Sequence, residues 1–252
     1  QKSIFIHVIG DSMLDVDYKV STHRISPECP NVNILQSPDD KPFRQFPGGA
    51  ANVCYQLNNF NVICRLFSFM DDEAYDIIRD KGVKYWGLIR LPDGHFIPRK
   101  RRYYAQGFQV VARWDIEKAN YGLESLKLLQ DKLLDTWQIF QAEPDVIIFS
   151  DYNKGLFNDL SINRIKTNAI TIVDPKAAPL ERWKGCTVFK PNAKEARELS
   201  GMQNWKAQCD YFKEVLGCKA VIITQAGDGI VGKTDDYFEY RPKLAITPID
   251  VV

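Results

Sequence analysis

Three features of the sequence predict an α/β protein built on a doubly wound, mostly parallel sheet with a small β lid. Six short apolar runs recur along the chain: SIFIHVIG, VICRLFSF, DVIIFSD, AITIVDP, CTVFKPN and AVIITQ. Nearly continuous apolar runs of this length suit strands buried on both faces. Helical patterns lie between several of them, at Ala50 to Phe60, Ser125 to Phe140, Leu160 to Lys166, Ala193 to Leu199 and Trp205 to Leu216; this alternation indicates parallel pairing. The runs also end in polar residues: Asp11, Asp151, Asp174 with Lys176, and Asn192 with Glu195. Ligands of open α/β sheets bind outside the carboxyl ends of the strands, so four strands are expected to deliver these side chains to one rim. Taken singly, each is also an ordinary loop or N-cap residue.

Two regions interrupt the alternation. Val16 to Ser21 and Val32 to Gln36 alternate around the loop THRISPECPN, and FIPRKRRYYAQGFQVVARWD reads as two strands joined near Gln106 and Gly107. Aromatic and β-branched content favours strand here, and the pieces are too short to hold a core of their own. They suit a lid formed by segments of about 16–46 and 97–114 on one domain spanning 1–252; an ordinary hairpin on the main domain is the alternative. Glu117 to Tyr121 reads as a connector.

The 252 residues, 45% hydrophobic, can bury one substantial core. Lys and Arg (33) nearly balance Asp and Glu (32), so no global field points to nucleic acid or a membrane surface as partner. Six cysteines without a C-x-x-C pair and three dispersed histidines do not make a zinc site, and buried thiols in a reducing cytosol are expected. No apolar run approaches the roughly 20 residues that span a bilayer, and the N-terminus carries no secretory pattern, so a cytoplasmic location is expected.

The first strand runs into GDSMLD instead of G-x-G-x-x-G. Without those glycines a pyrophosphate cannot approach the turn, and Asp11 and Asp15 would repel one, which disfavours a dehydrogenase. Ionised carboxylates instead accept hydrogen bonds from hydroxyl donors such as those of a sugar. In FPGGAANVCYQL the adjacent Gly48 and Gly49 offer bare backbone ahead of Asn52, either as a ligand turn or as the start of a helix. Lys100, Arg101, Arg102 and Arg113 bring four cations to the lid. Strand alternation keeps them from meeting one ligand together, and solvated edge charges are the competing explanation.

GDSMLD, RISPECP, PGGAANV, SDYNKG, VDPK and PNAKE, in this order, resemble the ribokinase-like (PfkB) carbohydrate kinase family, specifically its heptose-phosphate kinase branch, from about Val8 to the last residue. The resemblance implies a ribokinase-like fold, ATP and Mg2+ as cofactors, and an acceptor of D-glycero-D-manno-heptose 7-phosphate. The anomeric hydroxyl would be phosphorylated to give the 1,7-bisphosphate on the route to ADP-heptose, a lipopolysaccharide precursor. A kinase for another sugar or a nucleoside, or a non-catalytic sugar-phosphate or nucleotide-binding homologue, are the alternatives.

By the same resemblance Asp11, Asp15, Gly48, Gly49 and Asn52 are expected at the sugar, Arg113 at its phosphate, and Asp151, Lys154 and Lys176 along the sugar and phosphate route. Asn192 and Glu195 would organise water around magnesium, and Thr224, Gly227 and Gly229 of TQAGDG would complete the nucleotide site. Ala226 stands where the family's turn has its middle glycine, with Gly227 one position later; a methyl group is accommodated there if the tight turn moves with the glycine. Met70 replaces a family glycine, and Asp71 to Gly87 reads as shortened. ITPIDVV resembles the lead-in to the family's G-A-G-D motif, which supplies an anion hole and the catalytic base. The base is expected just after Val252, with the domain truncated there. A homodimer through the lid is the expected assembly.

Overall fold

The computed structural model describes residues 3–29, 32–106, 109–117, 143–158, 160, 162–165, 167–176 and 179–241, with helical positions 127, 128, 131 and 135 between them. In chain order the strands are β1 (Ile4–Gly10), β2 (Ser12–Lys19), β3 (Ser21–Ile25), β4 (Asn33–Gln36), β5 (Arg44–Gly49), β6 (Val62–Met70), β7 (Tyr85–Arg90), β8 (Arg99–Tyr104), β9 (Val110–Ile116), β10 (Val146–Ser150), β11 (Ile170–Asp174), β12 (Val188–Phe189), β13 (Ala220–Thr224), β14 (Ile230–Lys233) and β15 (Tyr237–Tyr240). The α-helices whose residues are all described are α1 (Ala50–Leu57), α2 (Asp72–Asp80), α3 (Ala193–Ser200) and α4 (Trp205–Leu216).

One nine-stranded sheet, in the order β15-β14-β13-β12-β11-β10-β1-β6-β7, forms the body. Its pairs from β7 to β13 are parallel, and β14 and β15 add antiparallel strands at one edge. Val8, Leu66, Ile147, Val173 and Val221 are fully buried along these strands, as uninterrupted apolar runs between two covering layers should be. Phe149, Phe157 and Trp183 pack edge-on or tilted on one another. The helices begin where capping chemistry allows: Asp71 accepts Ala74 N–H at 3.1 Å ahead of α2, and Asn204 caps α4.

A second sheet, β5-β2-β8-β9, stands at the carboxyl ends of the first. Strand β2 follows β1 after one residue, Asp11, and its partners are antiparallel β5 and parallel β8. Antiparallel β9 forms the outer edge, and β3 with β4 makes a separate hairpin.

Several expectations change. The small sheet begins at Ser12 and runs to Ile116, beyond the expected lid segments. The glycines of PGG end strand β5, while the helix starts at Ala50 as expected and stops at Leu57, short of Phe60. Helix α2 and strands β7, β14 and β15 were not expected, and Leu160 to Lys166 gives a 3-10 turn at Ile162–Arg164. Most of the helix expected at Ser125 to Phe140 and of the connector Glu117 to Tyr121 lies outside the described residues, as does Gly107. Five cysteines are buried and Cys29 is exposed. Among the described residues no helix is long and apolar enough to cross a membrane, and no cluster of three or more His, Cys, Asp or Glu could cage a metal.

Candidate active site

A cleft of about 600 Å³ opens between the carboxyl rim of the large sheet and the small sheet. The small sheet lines it with Met13, Lys100 and Arg113, and Glu117 follows β9. The large sheet supplies Asp151, Tyr152 and Lys154 after β10, Asp174 to Lys176 after β11, Lys190 and Asn192 after β12, Glu195 from α3, and Thr224 from β13. Five of the lining side chains are cations, and four are carboxylates.

The loop after β10 is built by buried carboxylates. Asp11, only 5% exposed, accepts the N–H groups of Tyr152 (3.0 Å) and Lys154 (3.1 Å) on Oδ2 and that of Leu156 (3.1 Å) on Oδ1. Burial pushes its carboxyl up from the usual range, and the three donors pull it back. Expected at the sugar, Asp11 is instead the anchor of SDYNKG, since both of its oxygens are engaged by backbone. Asp151 Oδ1 accepts Asn153 N–H at 2.7 Å. Burial, reinforced by the neighbouring Asp11 charge, lifts the Asp151 carboxyl to about 6. Tyr152 is pushed up to about 12, chiefly by burial.

Most of the cleft cations already face carboxylates: Lys154 to Glu117 at 2.8 Å, Lys176 to Glu195 at 3.1 Å and Lys190 to Asp174 at 2.9 Å. Arg113 forms a two-pronged pair with Asp115 at 2.8 and 2.7 Å. Lys100 lies 5.8 Å from the Tyr152 ring centroid. Its ammonium is held below the ordinary lysine range, first by burial and then by Arg113 and Arg102 despite the opposing pull of Asp15 and Asp115. A polyanion entering here would meet cations that can exchange a protein carboxylate for a phosphate oxygen.

Asn192 and Glu195 form a full capping box: Asn192 Oδ1 accepts Glu195 N–H at 2.8 Å and Glu195 Oε2 accepts Asn192 N–H at 2.9 Å. Glu195 Oε1 takes Lys176 Nζ. With both oxygens engaged, this carboxylate fits a magnesium ion that keeps its own waters, the habit of that ion, and not direct caging.

The other expected residues do not line this cleft. Asp15 stands beside it, opposite Lys100 in the β2–β8 register, and accepts Arg102 Nη1 at 3.0 Å. Gly48 and Gly49 are buried. A Cβ on Gly48 would lie 2.7 Å from Met13 Cγ and 2.8 Å from Asp15 Oδ2; one on Gly49 would lie 2.3 Å from Asp11 O, and φ there is +58°. Close packing of β5 on β2 therefore requires both. Asn52 is exposed and accepts Gln56 Nε2 at 3.4 Å.

At the far end Thr224 lines the cleft, whereas Gly227 and Gly229 do not. The turn does not move with the glycine: Ala226 itself takes φ +49°, and Gly227 is not among the positive-φ residues. Met13, Glu117, Tyr152 and Lys190 were missed. Tyr152 and Lys190 sit in SDYNKG and just before PNAKE, so reading whole motifs would have found them.

Comparison with known proteins places this geometry. No family model matches the chain. The "Bifunctional protein HldE" of Marinomonas sp. is 30% identical over 253 residues, covering 93% of this chain and 50% of that protein. Its namesake from Aeromonas salmonicida is 34% identical over 236 residues, covering 88% and 47%. Among solved structures, ribokinase from Thermotoga maritima superposes with a TM-score of 0.68 at 20% identity, covering 98% of this chain and 80% of that one. Phosphofructokinase-2 from Escherichia coli, in complex with fructose-6-phosphate, gives 0.69 at 15%, covering 96% and 81%. The chain has the ribokinase-like fold, and over about nine-tenths of its length it is similar to proteins named HldE. It spans about half the length of the curated relatives it matches. Within the ribokinase-like fold the four-stranded sheet is a lid over the rim of the nine-stranded one, and the cleft lies between them.

Proposed function

We propose that the protein transfers the γ-phosphoryl group of ATP to the anomeric hydroxyl of a sugar phosphate, D-glycero-D-manno-heptose 7-phosphate, giving the 1,7-bisphosphate. The observation that carries this reading is the cleft itself. Cations from the lid (Lys100, Arg113) and from the rim (Lys154, Lys176, Lys190) converge on one space between two sheets. Such an arrangement serves an acceptor anionic at one end and a donor anionic at the other. The curated relatives named HldE, matched over about nine-tenths of the chain, support the heptose assignment.

In this reading Lys100 and Arg113 hold the acceptor's own phosphate, and Asp15 and Asp151 accept hydrogen bonds from its hydroxyls. Lys154, Lys176 and Lys190 face the moving phosphoryl group and offset its charge, while Thr224, Gly227 and Gly229 border the nucleotide. Asn192 and Glu195 would hold magnesium through water, and the ion would neutralise phosphate oxygens when bound. Positioning and charge stabilisation suffice, and no covalent enzyme intermediate is needed. The exposed edge of β9, with Val110, Val111 and Trp114 at 39%, 38% and 56% exposure, would pair lids in a homodimer. Balanced charge and the absence of a membrane-length helix among the described residues support a cytoplasmic enzyme of this pathway.

The test is ADP release by the purified protein with ATP, magnesium and a panel of heptose 7-phosphate, fructose 6-phosphate, ribose and a nucleoside. Turnover greatest on the heptose phosphate supports the proposal. Equal or greater turnover on an unphosphorylated sugar or nucleoside overturns the acceptor assignment, and saturable binding without ADP release overturns catalysis.

A further inference from the structure

The first turn of α2 grips the small sheet from two sides. Asp71, between β6 and α2, accepts Ile97 N–H on Oδ2 at 2.7 Å and Arg99 Nη2 on Oδ1 at 2.7 Å. Glu73 Oε2 accepts the same guanidinium, Nη2 at 3.0 Å and Nε at 3.3 Å. Its other oxygen, Oε1, accepts Gln45 Nε2 at 3.1 Å. Arg99 opens β8 and Gln45 lies on β5, the two strands that flank β2. Arg99 is only 6% exposed, so its charge is satisfied inside the protein.

We infer that Asp71 and Glu73 are positioning residues which, through Arg99 and Gln45, set the angle of the four-stranded sheet above the cleft and thereby the affinity for the acceptor. The strand that leaves Arg99 carries Lys100 directly into the cleft, and Arg102 two residues on lies opposite Arg113. A strand rises about 3.3 Å per residue, so a rotation of about 10° at Arg99 displaces the Arg102–Arg113 pair, about 10 Å along, by about 2 Å. A displacement of that size separates a charge from the phosphate it must meet. Continuous backbone also joins the sheets at Asp11, at the junction of Gly49 with Ala50 and between β7 and β8, and Lys154 after β10 pairs with Glu117 after β9 at 2.8 Å. The grip by α2 is a side-chain link that holds β5 and β8 at once.

The kinetic arm of the test rests on the sugar-kinase reading; hydrogen exchange does not. Glu73, 55% exposed at its side chain, is the position to vary because the buried Asp71–Arg99 pair is left in place. In Glu73→Ala, amide exchange in β8 and β9 should quicken about tenfold while β10 to β13 stay within about twofold. The KM for the sugar phosphate should rise about fivefold, with kcat and the KM for ATP within about twofold of the parent. Glu73→Gln, which keeps an oxygen for Arg99, should recover most of both effects. Unchanged exchange in the small sheet, or an equal rise in both sheets, overturns the inference, as does an unchanged acceptor KM in a protein that turns over. A protein that phosphorylates no sugar refutes the functional reading, and the exchange pattern then decides the joint on its own.

Discussion

Asp11 Oδ2 accepts the backbone N–H of Tyr152 at 3.0 Å across 141 residues of sequence. The single residue between the two sheets thus also ties down the loop that forms one wall of the cleft. Its carboxylate supports the site without lining it.

Asp11→Asn should therefore act on stability first. The amide replaces one acceptor oxygen with a donor that must confront backbone N–H groups. A buried hydrogen bond to a charged group is worth roughly 1.5–3 kcal/mol, so a loss of about 3 kcal/mol is expected. Urea unfolding measures it; a change below about 0.5 kcal/mol would show that the three N–H donors do not depend on the charge.

Two buried groups give the acid response opposite signs. His7, 1% exposed among Phe5, Phe67 and Trp86, is lowered to about 4 by burial and by Arg65. The unfolded chain therefore binds this proton first, and between pH 7 and 5 the fold loses about 2 kcal/mol. Asp151 is raised to about 6, so here the folded chain binds the proton first, and the fold regains about 1 kcal/mol over the same interval. His7→Phe should be more stable at pH 5 than at pH 7, whereas Asp151→Asn should fall more steeply than the parent. Urea midpoints across that range check both, and parallel slopes for the three proteins would contradict the assignment.

Ala226 holds a left-handed φ of +49°, and Gly229 closes the same turn at φ +97°, ψ −136°. A left-handed alanine costs roughly 1–2 kcal/mol, part of which glycine's greater chain entropy cancels. Ala226→Gly should stabilise by about 1 kcal/mol, raising Tm by about 3 °C, and Gly229→Ala should destabilise by more than that. Calorimetry distinguishes them; a lower Tm for Ala226→Gly would mean that the methyl group contributes packing worth more than the strain.

The large sheet was legible because its strands are buried on both faces and carry unbroken apolar runs. Capped helices such as α4 were legible through the apolar stripe from Trp205 to Leu216. Most of what stayed hidden was hidden for physical reasons. The passage from β1 to β2 uses one aspartate and no turn residues, so nothing in GDSMLD marks the change of sheet. Pro47 sits in strand β5 opposite Leu14, where its preference for turns gave the wrong local signal. Helix α2 is short, but Ala74, Ile77 and Ile78 fall at helical spacing behind the Asp71 cap, so its signal was present in the sequence and was missed. Rim residues Asp151, Lys154, Lys176, Asn192, Glu195 and Thr224 meet in one cleft as strand ends should. Asp11, Gly48 and Gly49 are packed tightly beside the cleft without lining it, a closeness that is invisible in one dimension.

Asp15, proposed to hold the acceptor, is the position that tests whether acceptor and nucleotide are bound apart. Its carboxylate, 25% exposed, pairs with Arg102 at 3.0 Å and lies opposite Lys100 in the register of β2 and β8. Its charge also reaches Arg113 and Tyr152, so it organises the lid side of the cleft and is remote from Thr224 in the fold order. Removing it leaves Arg102 to Asp17, whose Oδ1 is 3.7 Å away, and pulls the guanidinium from its place beside the cleft. Asp15→Ala should raise the KM for the sugar phosphate at least about tenfold, the cost of one charge-assisted hydrogen bond, with the KM for ATP within about twofold. Initial rates with each substrate varied in turn provide the measurement, and an equal rise in both constants would place Asp15 in the general support of the fold instead of at the acceptor.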